Sequence, residues 1–166
     1  MAGKRQLVLF KVGAEEFAVD ILLTKEVVVM REITPVPETE DYVEGVMNLR
    51  GNLVPVLDFR KRLRAKAAEA TDDRRIVISN LEGRLTGLIV DGASEVIRIG
   101  DEMIEPAPDI IAEIGAGYII GVITLNDRFI TLIDLKKALS GEIVGELDRA
   151  MKALMRHRES APAQAG

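Results

Sequence analysis

Four aspartates close apolar runs in this sequence: Asp20, Asp58, Asp91 and Asp134. Paired carboxylates are the usual means of general acid–base catalysis, so these residues come first. Each stands where an Asp side chain commonly closes a turn by bonding its own backbone. They recur at matching places in two stretches of the chain, which points to a structural role. The only histidine, His157, lies among Arg156, Arg158 and Glu159, the setting of a solvated surface residue. There is no cysteine, hence no thiolate nucleophile, no disulfide framework and no cysteine-type zinc site. The expectation is a protein without catalytic residues, metal or cofactor.

Two other stretches suggest chemistry at first sight. The segment GAGYIIG, residues 115–121, resembles a dinucleotide fingerprint, but it leads into the strand-like YIIGVITL. Without a strand–turn–helix there is no helix N-terminus to hold a pyrophosphate. The segment RKRLRAK, Arg60 to Lys66, is the one strong basic cluster. Tandem small barrels can bind nucleic acid. Here, however, no stacking aromatics are interleaved, and Glu69, Asp72 and Asp73 follow at once. A solvated face is the better reading.

The most informative stretch is GVMNLRGNLVPVLDFRKRL, Gly45 to Leu63. An apolar strand pattern breaks at Asn48–Gly51 and resumes immediately. Gly51 suits a tight hairpin turn, where positive φ is needed. Pro55 in the following run suggests an edge strand, and an edge with apolar neighbours is a candidate docking site.

The elements around that turn occur twice. GVITLNDRFITLIDLKKAL, Gly121 to Leu139, overlays the first stretch without a gap, matching Gly45 with Gly121, Leu49 with Leu125 and Asp58 with Asp134. LVLFKVGAEEFAVD (Leu7 to Asp20) and IVISNLEGRLTGLIVD (Ile76 to Asp91) share an order of run, turn and Val-Asp ending. A Glu-Val pair follows each, Glu26-Val27 and Glu95-Val96. Such repetition defines two related halves, near residues 5–64 and 74–139. The framework is repeated and the turn is not: Asn126-Asp127 stands where the first half has Arg50-Gly51. The first turn therefore has a task of its own.

Short apolar runs at close, regular spacing signal a small β-barrel or sandwich in each half. Runs such as VPVLDF are apolar on both faces, so packing one barrel on the other would cover the second face. Exchange of strands between the barrels stays open. The subdomains are expected at residues 1–66 and 67–140, followed by an amphipathic helix and tail over 141–166, where Leu147, Met151 and Leu154 recur at helical spacing. The formal charge of −5 argues against nucleic acid as the main partner. The first ten residues are too short an apolar run for a signal peptide, and no run approaches the roughly 18 apolar residues of a membrane span. A cytoplasmic location is expected.

The stretch from Gly45 to Asp58 resembles the signature of the CheW family of bacterial chemotaxis coupling proteins, whose pattern is G-V-x-N-L-R-G-x-x-x-P-V-x-D. The segments from Leu7, GLIVDGASEV, EPAPD and NDRFITLIDLKKAL fit in the same order, so the resemblance covers about residues 6–140. Phe59, where Leu is usual, and a charged, Ala-rich C-terminal extension are the departures. The resemblance implies an all-β protein of two pseudo-repeated five-stranded SH3-like barrels packed together, with a short C-terminal helix. It implies a non-catalytic adaptor linking methyl-accepting chemoreceptor tips to the regulatory domain of the histidine kinase CheA, at membrane-associated receptor arrays, with the membrane engaged only through the receptors. Arg50 matches the family's Arg in NLRG and Glu26 matches a Glu of its receptor-binding region, and the two are expected to form a charge pair at a receptor-facing groove. Val28, Gly45 and Asn48 would shape that site, and Gly87 would lie in the groove between barrels. The alternatives are an adaptor of another chemosensory pathway and, from a different class, a nucleic-acid-binding tandem barrel using Arg60–Lys66.

Overall fold

Valine, isoleucine and leucine dominate the apolar runs, and their stiff or branched side chains favour the extended backbone. The structure, a computed structural model, describes residues 4–37, 39, 41–62, 73–81, 83–106 and 118–139. Its strands are β1 (Lys4–Val12), β2 (Glu15–Asp20), β3 (Thr24–Val29), β4 (Val43–Leu49), β5 (Asn52–Asp58) and β6 (Arg75–Leu81). They continue as β7 (Arg84–Val90), β8 (Gly92–Gly100), β9 (Ile104–Pro106), β10 (Ile119–Leu125) and β11 (Arg128–Ile133). Single helical turns α1 (Phe59–Arg62) and α2 (Leu135–Ala138) follow β5 and β11. The expected amphipathic helix over 141–166 lies outside the described residues. Among the described residues no helix is long and apolar enough to cross a membrane.

Two sheets form, ordered β3-β6-β7-β5-β4 and β8-β1-β2-β11-β10-β9. The all-β, two-barrel expectation holds. The second sheet has six strands rather than five, because the short β9 pairs with β10. Its counterpart in the first sheet is a single bridge, Thr34 to Val46. Neither sheet follows a cut between residues 66 and 67. The β1–β2 hairpin sits in the sheet built otherwise from β8–β11, and β6–β7 sits with β3–β5. The halves have thus exchanged their first hairpins.

The exchange accounts for strands that are apolar on both faces. One core lies inside the five-stranded sheet (Val28, Met47, Val54, Val56, Ile76, Ile78) and one inside the six-stranded sheet (Leu7, Leu9, Ile99, Ile123, Ile130, Leu132). A third lies between the sheets and draws on both, with Val8, Phe10 and Phe17 on one side and Leu57, Val77 and Leu88 on the other. Phe10 stacks on Phe17 with ring centroids 6.1 Å apart and meets Phe59 at 5.7 Å. Sequestering these large side chains is the main drive for the two sheets to stay together.

The register corrects two details. Asp20 lies opposite Leu7, whereas Ile89, not Asp91, lies opposite Ile76. The two Val-Asp endings are therefore offset by two residues rather than equivalent. Secondly, β5 is an inner strand between β7 and β4, so Pro55 does not mark an edge. Val46, its cross-strand neighbour, directs its own N–H and C=O to Thr34 at 2.9 and 2.8 Å. In antiparallel pairing the backbone nitrogen of Pro55 then faces away from β4 as well. On its other side the ladder to β7 begins only at Val56. No ladder bond is lost to the proline. The terminal strands of this sheet are β4, which meets Thr34 in a bridge, and β3, which pairs with β6 alone.

Candidate functional site

Arg50 and Gly51 form the two-residue loop of the β4–β5 hairpin, with φ of 51° and 87°. Two positive φ values give the loop the twist that antiparallel strands need. Asn48 supports it by accepting the Gly51 N–H on its side-chain oxygen at 2.8 Å. Glycine or asparagine suits the first loop position, whereas a left-handed conformation costs another residue about 1–2 kcal/mol.

The Arg50 guanidinium meets the Glu26 carboxylate as a fork. Nη2 donates to Oε1 and Oε2 at 2.7 Å each, and Nη1 donates to Oε2 at 3.1 Å. Arg50 stands at the end of β4, and Glu26 stands on β3, at the other end of the sheet's strand order. The pair therefore bridges the two ends of a sheet that has curled into a barrel. Arg50 is 62% exposed and Glu26 25%, so the pair adds only about 0.2–1 kcal/mol to folding. The backbone cost of Arg50 cancels that gain. The arrangement is hard to explain by stability.

A β-bulge aims Glu26. Thr24 lies opposite Ser79 and Glu26 opposite Ile78, which leaves Lys25 as the extra residue. Without it Glu26 would face the same side as Thr24. With it, Glu26 and then Val28 turn to the inside of the five-stranded barrel. Val28 is buried there, in the core of that barrel.

The remaining expected site residues are buried frame. Gly45 sits at a register shift in β4 with φ of 144°, and a Cβ there would lie 2.0 Å from the Thr34 carbonyl oxygen. Gly87 is buried in β7, where a Cβ would meet Ile76 Cγ2 at 2.9 Å and Val56 Cγ2 at 3.4 Å. These neighbours belong to the core inside the five-stranded barrel, so Gly87 faces that core and not a groove between the barrels. Arg50, Glu26, Asn48 and Val28 are thus brought together, while Gly45 and Gly87 hold the strands that carry them.

Sequence reasoning missed the exposed apolar residues on the other face of β3. Val27 and Val29 on β3 are 41% and 58% exposed. Val27 lies opposite Val77 of the inter-sheet core and continues it to the surface. In the other sheet Val96 does the same from opposite Val8. The signal was present in VVV, since three consecutive valines on one strand cannot all be buried on a single face.

The second barrel also has an arginine at its mouth. Arg128, the first residue of β11, donates from Nε to Glu16 at 2.9 Å and from Nη2 to Glu95 at 3.0 Å. Glu95 follows a bulge in β8, as Glu26 follows one in β3. Hydrogen bonds from Arg128 hold the Glu16 carboxyl below its usual range, against a smaller opposing effect of burial. The guanidinium is held correspondingly tighter in its charged form, chiefly by Glu16 and then Glu95.

The aspartates have visible structural duties. Asp20 caps a turn through the Leu22 N–H at 2.9 Å, and Asp134 caps α2 through the Lys137 N–H at 3.2 Å. Asp91 accepts the Gly13 N–H at 2.6 Å. Asp58, 2% exposed, takes Nη2 of Arg60 at 2.9 Å, and Arg60 also reaches Asp91 at 3.3 Å. Burial opposes the Asp58 charge, but the Arg60 hydrogen bonds and charge outweigh it, so the carboxyl titrates below its ordinary value. Arg60 and Lys61 are thereby engaged, the latter with Glu44, and Arg62 donates to the Ala138 carbonyl and lies over Tyr118. Residues 63–66 of the basic cluster, and His157, lie outside the described residues. Among the described residues no group of three or more His, Asp or Glu is arranged to hold a metal ion.

Residues 6–142 match the model of the CheW-like domain family. The chain is similar to a chemotaxis protein CheW from Rhizobium meliloti (strain 1021), 37% identical over 140 residues, covering 84% of this chain and 90% of the relative. A chemotaxis protein CheW from Klebsiella aerogenes is 31% identical over 149 residues, covering 90% of each. The crystal structure of a scaffolding protein, TtCheW from Thermoanaerobacter tengcongensis, superposes with a TM-score of 0.74 at 33% identity, covering 86% of this chain and 92% of that one.

Proposed function

Because the chain belongs to the CheW-like family, we propose that it is a non-catalytic scaffold coupling the cytoplasmic tips of chemoreceptors to the histidine kinase CheA. The observation that carries this reading is the Arg50–Glu26 fork on an edge strand, held at a backbone cost that folding does not repay. On the other face of the same edge strand Val27 and Val29 leave apolar surface uncovered. An apolar strip with a charged rim suits one face of an amphipathic helix, and a receptor tip is a helical hairpin. The planar guanidinium holds a carboxylate at two points and keeps further N–H directions for a partner's carbonyls. Adaptor contacts of this kind are moderate in area, with a few anchors supplying most of the energy.

Binding of nucleic acid is the weaker reading, since Arg60, Lys61 and Arg62 are engaged within the chain and the net charge is −5. The test is co-sedimentation with a receptor cytoplasmic fragment and CheA together. Arg50→Ala is expected to weaken capture by about tenfold or more, the range of a hot-spot residue, with the melting temperature nearly unchanged. Wild-type chain that captures neither partner would overturn the reading. A folded Arg50→Ala protein that couples normally would remove Arg50 from the interface.

A further inference from the structure

Three buried hydroxyls form a row across the five-stranded sheet. Thr24 on β3 is opposite Ser79 on β6, and Ser79 is opposite Thr86 on β7. Ser79 is 0% exposed and Thr86 1%, and the Thr24 oxygen is likewise enclosed. None of the three hydroxyl oxygens has a hydrogen-bond partner in the protein. Alternation along the strands places Ser79 and Thr86 on the side of Val77 and Leu88, facing the core between the sheets.

The equivalent positions in the six-stranded sheet are apolar. There Phe10 is opposite both Phe17 and Ala93 in the two neighbouring pairings, and the two rings stack. One sheet fills this row with aromatic surface, and the other lines it with oxygen atoms. A buried hydroxyl left unbonded is costly, and alanine or valine would fill the same space without that cost. Directly opposed Thr and Ser side chains can bond one another at this spacing, but these three oxygens do not, which leaves each opposed pair to be bridged by a water molecule. A buried water typically makes about three hydrogen bonds to such groups.

We propose that internal water sits in this row, one molecule between Thr24 and Ser79 and one between Ser79 and Thr86, and that it pins the start of β3 and so positions Glu26 opposite Arg50. The row ends at Thr24, immediately before the bulged Lys25 that turns Glu26 into the barrel mouth. Bonding Thr24 through water to Ser79 on β6, itself bonded in the same way to Thr86 on β7, fixes the register from which the bulge starts. These are positioning residues and touch no partner. The inference stands apart from the partner reading, since both of its readouts are made on the isolated chain.

Oxygen-17 magnetic relaxation dispersion on the full chain is expected to show long-lived internal water that Ser79→Ala/Thr86→Val lacks and Thr86→Ser keeps. Amide hydrogen exchange over residues 24–28 is expected to quicken about tenfold in the double variant, and to stay within about twofold in Thr86→Ser. Amides of β8 serve as the internal reference and should not move. Identical dispersion in wild type and double variant, or unchanged β3 exchange, would overturn the proposal. A high-resolution crystal structure of the wild type decides the matter even if the double variant fails to fold. Water between the opposed hydroxyls supports the proposal, and hydroxyls bonded directly to one another or donating to protein carbonyls refute it.

Discussion

The two barrel mouths solve one closure problem with different residues. In the first, the arginine sits on the hairpin loop itself and reaches one carboxylate, Glu26. In the second, the loop is Asn126–Asp127, with φ of 49° and 64°, and the arginine comes directly after it at Arg128, held between Glu16 and Glu95. Asparagine and aspartate tolerate the left-handed conformation well, so the second loop is relaxed where the first is strained. Arg128 is 38% exposed against 62% for Arg50. The second arginine is held between two carboxylates, whereas the first is held by one and leaves more of its surface exposed. A duplicated framework thus carries two differently built mouths, and the proposed contact surface lies at the strained, more exposed one.

The comparison can be broken most severely at the glycines behind each mouth. Gly45→Ala is expected to cost about 3–5 kcal/mol, because it adds a clash with the Thr34 backbone to a positive φ that only glycine adopts freely. At the equivalent Gly121 a Cβ meets Glu105 O at 2.4 Å without that conformational demand, so Gly121→Ala should cost about 1–3 kcal/mol. Urea unfolding of both variants checks the order, and a larger loss at Gly121 would show that the mouths differ less than stated.

The next effect concerns the aspartates after β5 and β11. Their backbones are held alike, Asp58 N–H on Tyr42 O at 2.7 Å and Asp134 N–H on Tyr118 O at 2.8 Å. Only Asp58 carries a buried ion pair. Asp58→Ala should cost about 3 kcal/mol, the lower end for a broken buried pair because Asp91 still faces Arg60. Asp134→Ala should cost about 1 kcal/mol, the worth of a helix cap. Equal losses in thermal melts would remove the distinction.

A smaller change of opposite sign is expected at the loops. Arg50→Gly relieves the left-handed backbone and loses one exposed ion pair, for a net gain of about 0.5–1 kcal/mol alongside weaker partner capture. Asn126→Gly should shift stability by only a few tenths. A loss of stability in Arg50→Gly would show that the fork holds the barrel closed after all.

The smallest effect is in pH. The folded Asp58 carboxyl titrates below its ordinary 3.8, so the unfolded chain binds the proton first. Stability from this group is complete above that value and is lost as pH falls from about 3.8 through the lower folded value. Asp58→Asn should flatten that limb of the acid-unfolding curve, and Asp134→Asn should leave it in place.

Much of this was legible in the residues. The overlay of Gly45–Leu63 on Gly121–Leu139 predicted equivalent hairpins, and both loops adopt two positive φ values. The Arg50–Glu26 pair followed from resemblance rather than from spacing, since a separation of 24 positions says nothing about contact. Pro55 misled, because the rule that confines proline to edges concerns a missing N–H, and here that N–H faces neither ladder. Arg128 was overlooked because repeat matching compares identical positions, and this arginine has moved past the loop.

The sequence by itself determined the strands, the turns and the duplication, since these depend on side-chain alternation and on local backbone preference within a few residues. It also determined that Arg50 would stand on a tight loop. Only the tertiary structure decided which hairpin joined which sheet, which strand became the edge, and that a single bulged residue turns Glu26 toward Arg50. Pairing between distant strands is set by the collective fit of three apolar cores, and no single segment carries that information.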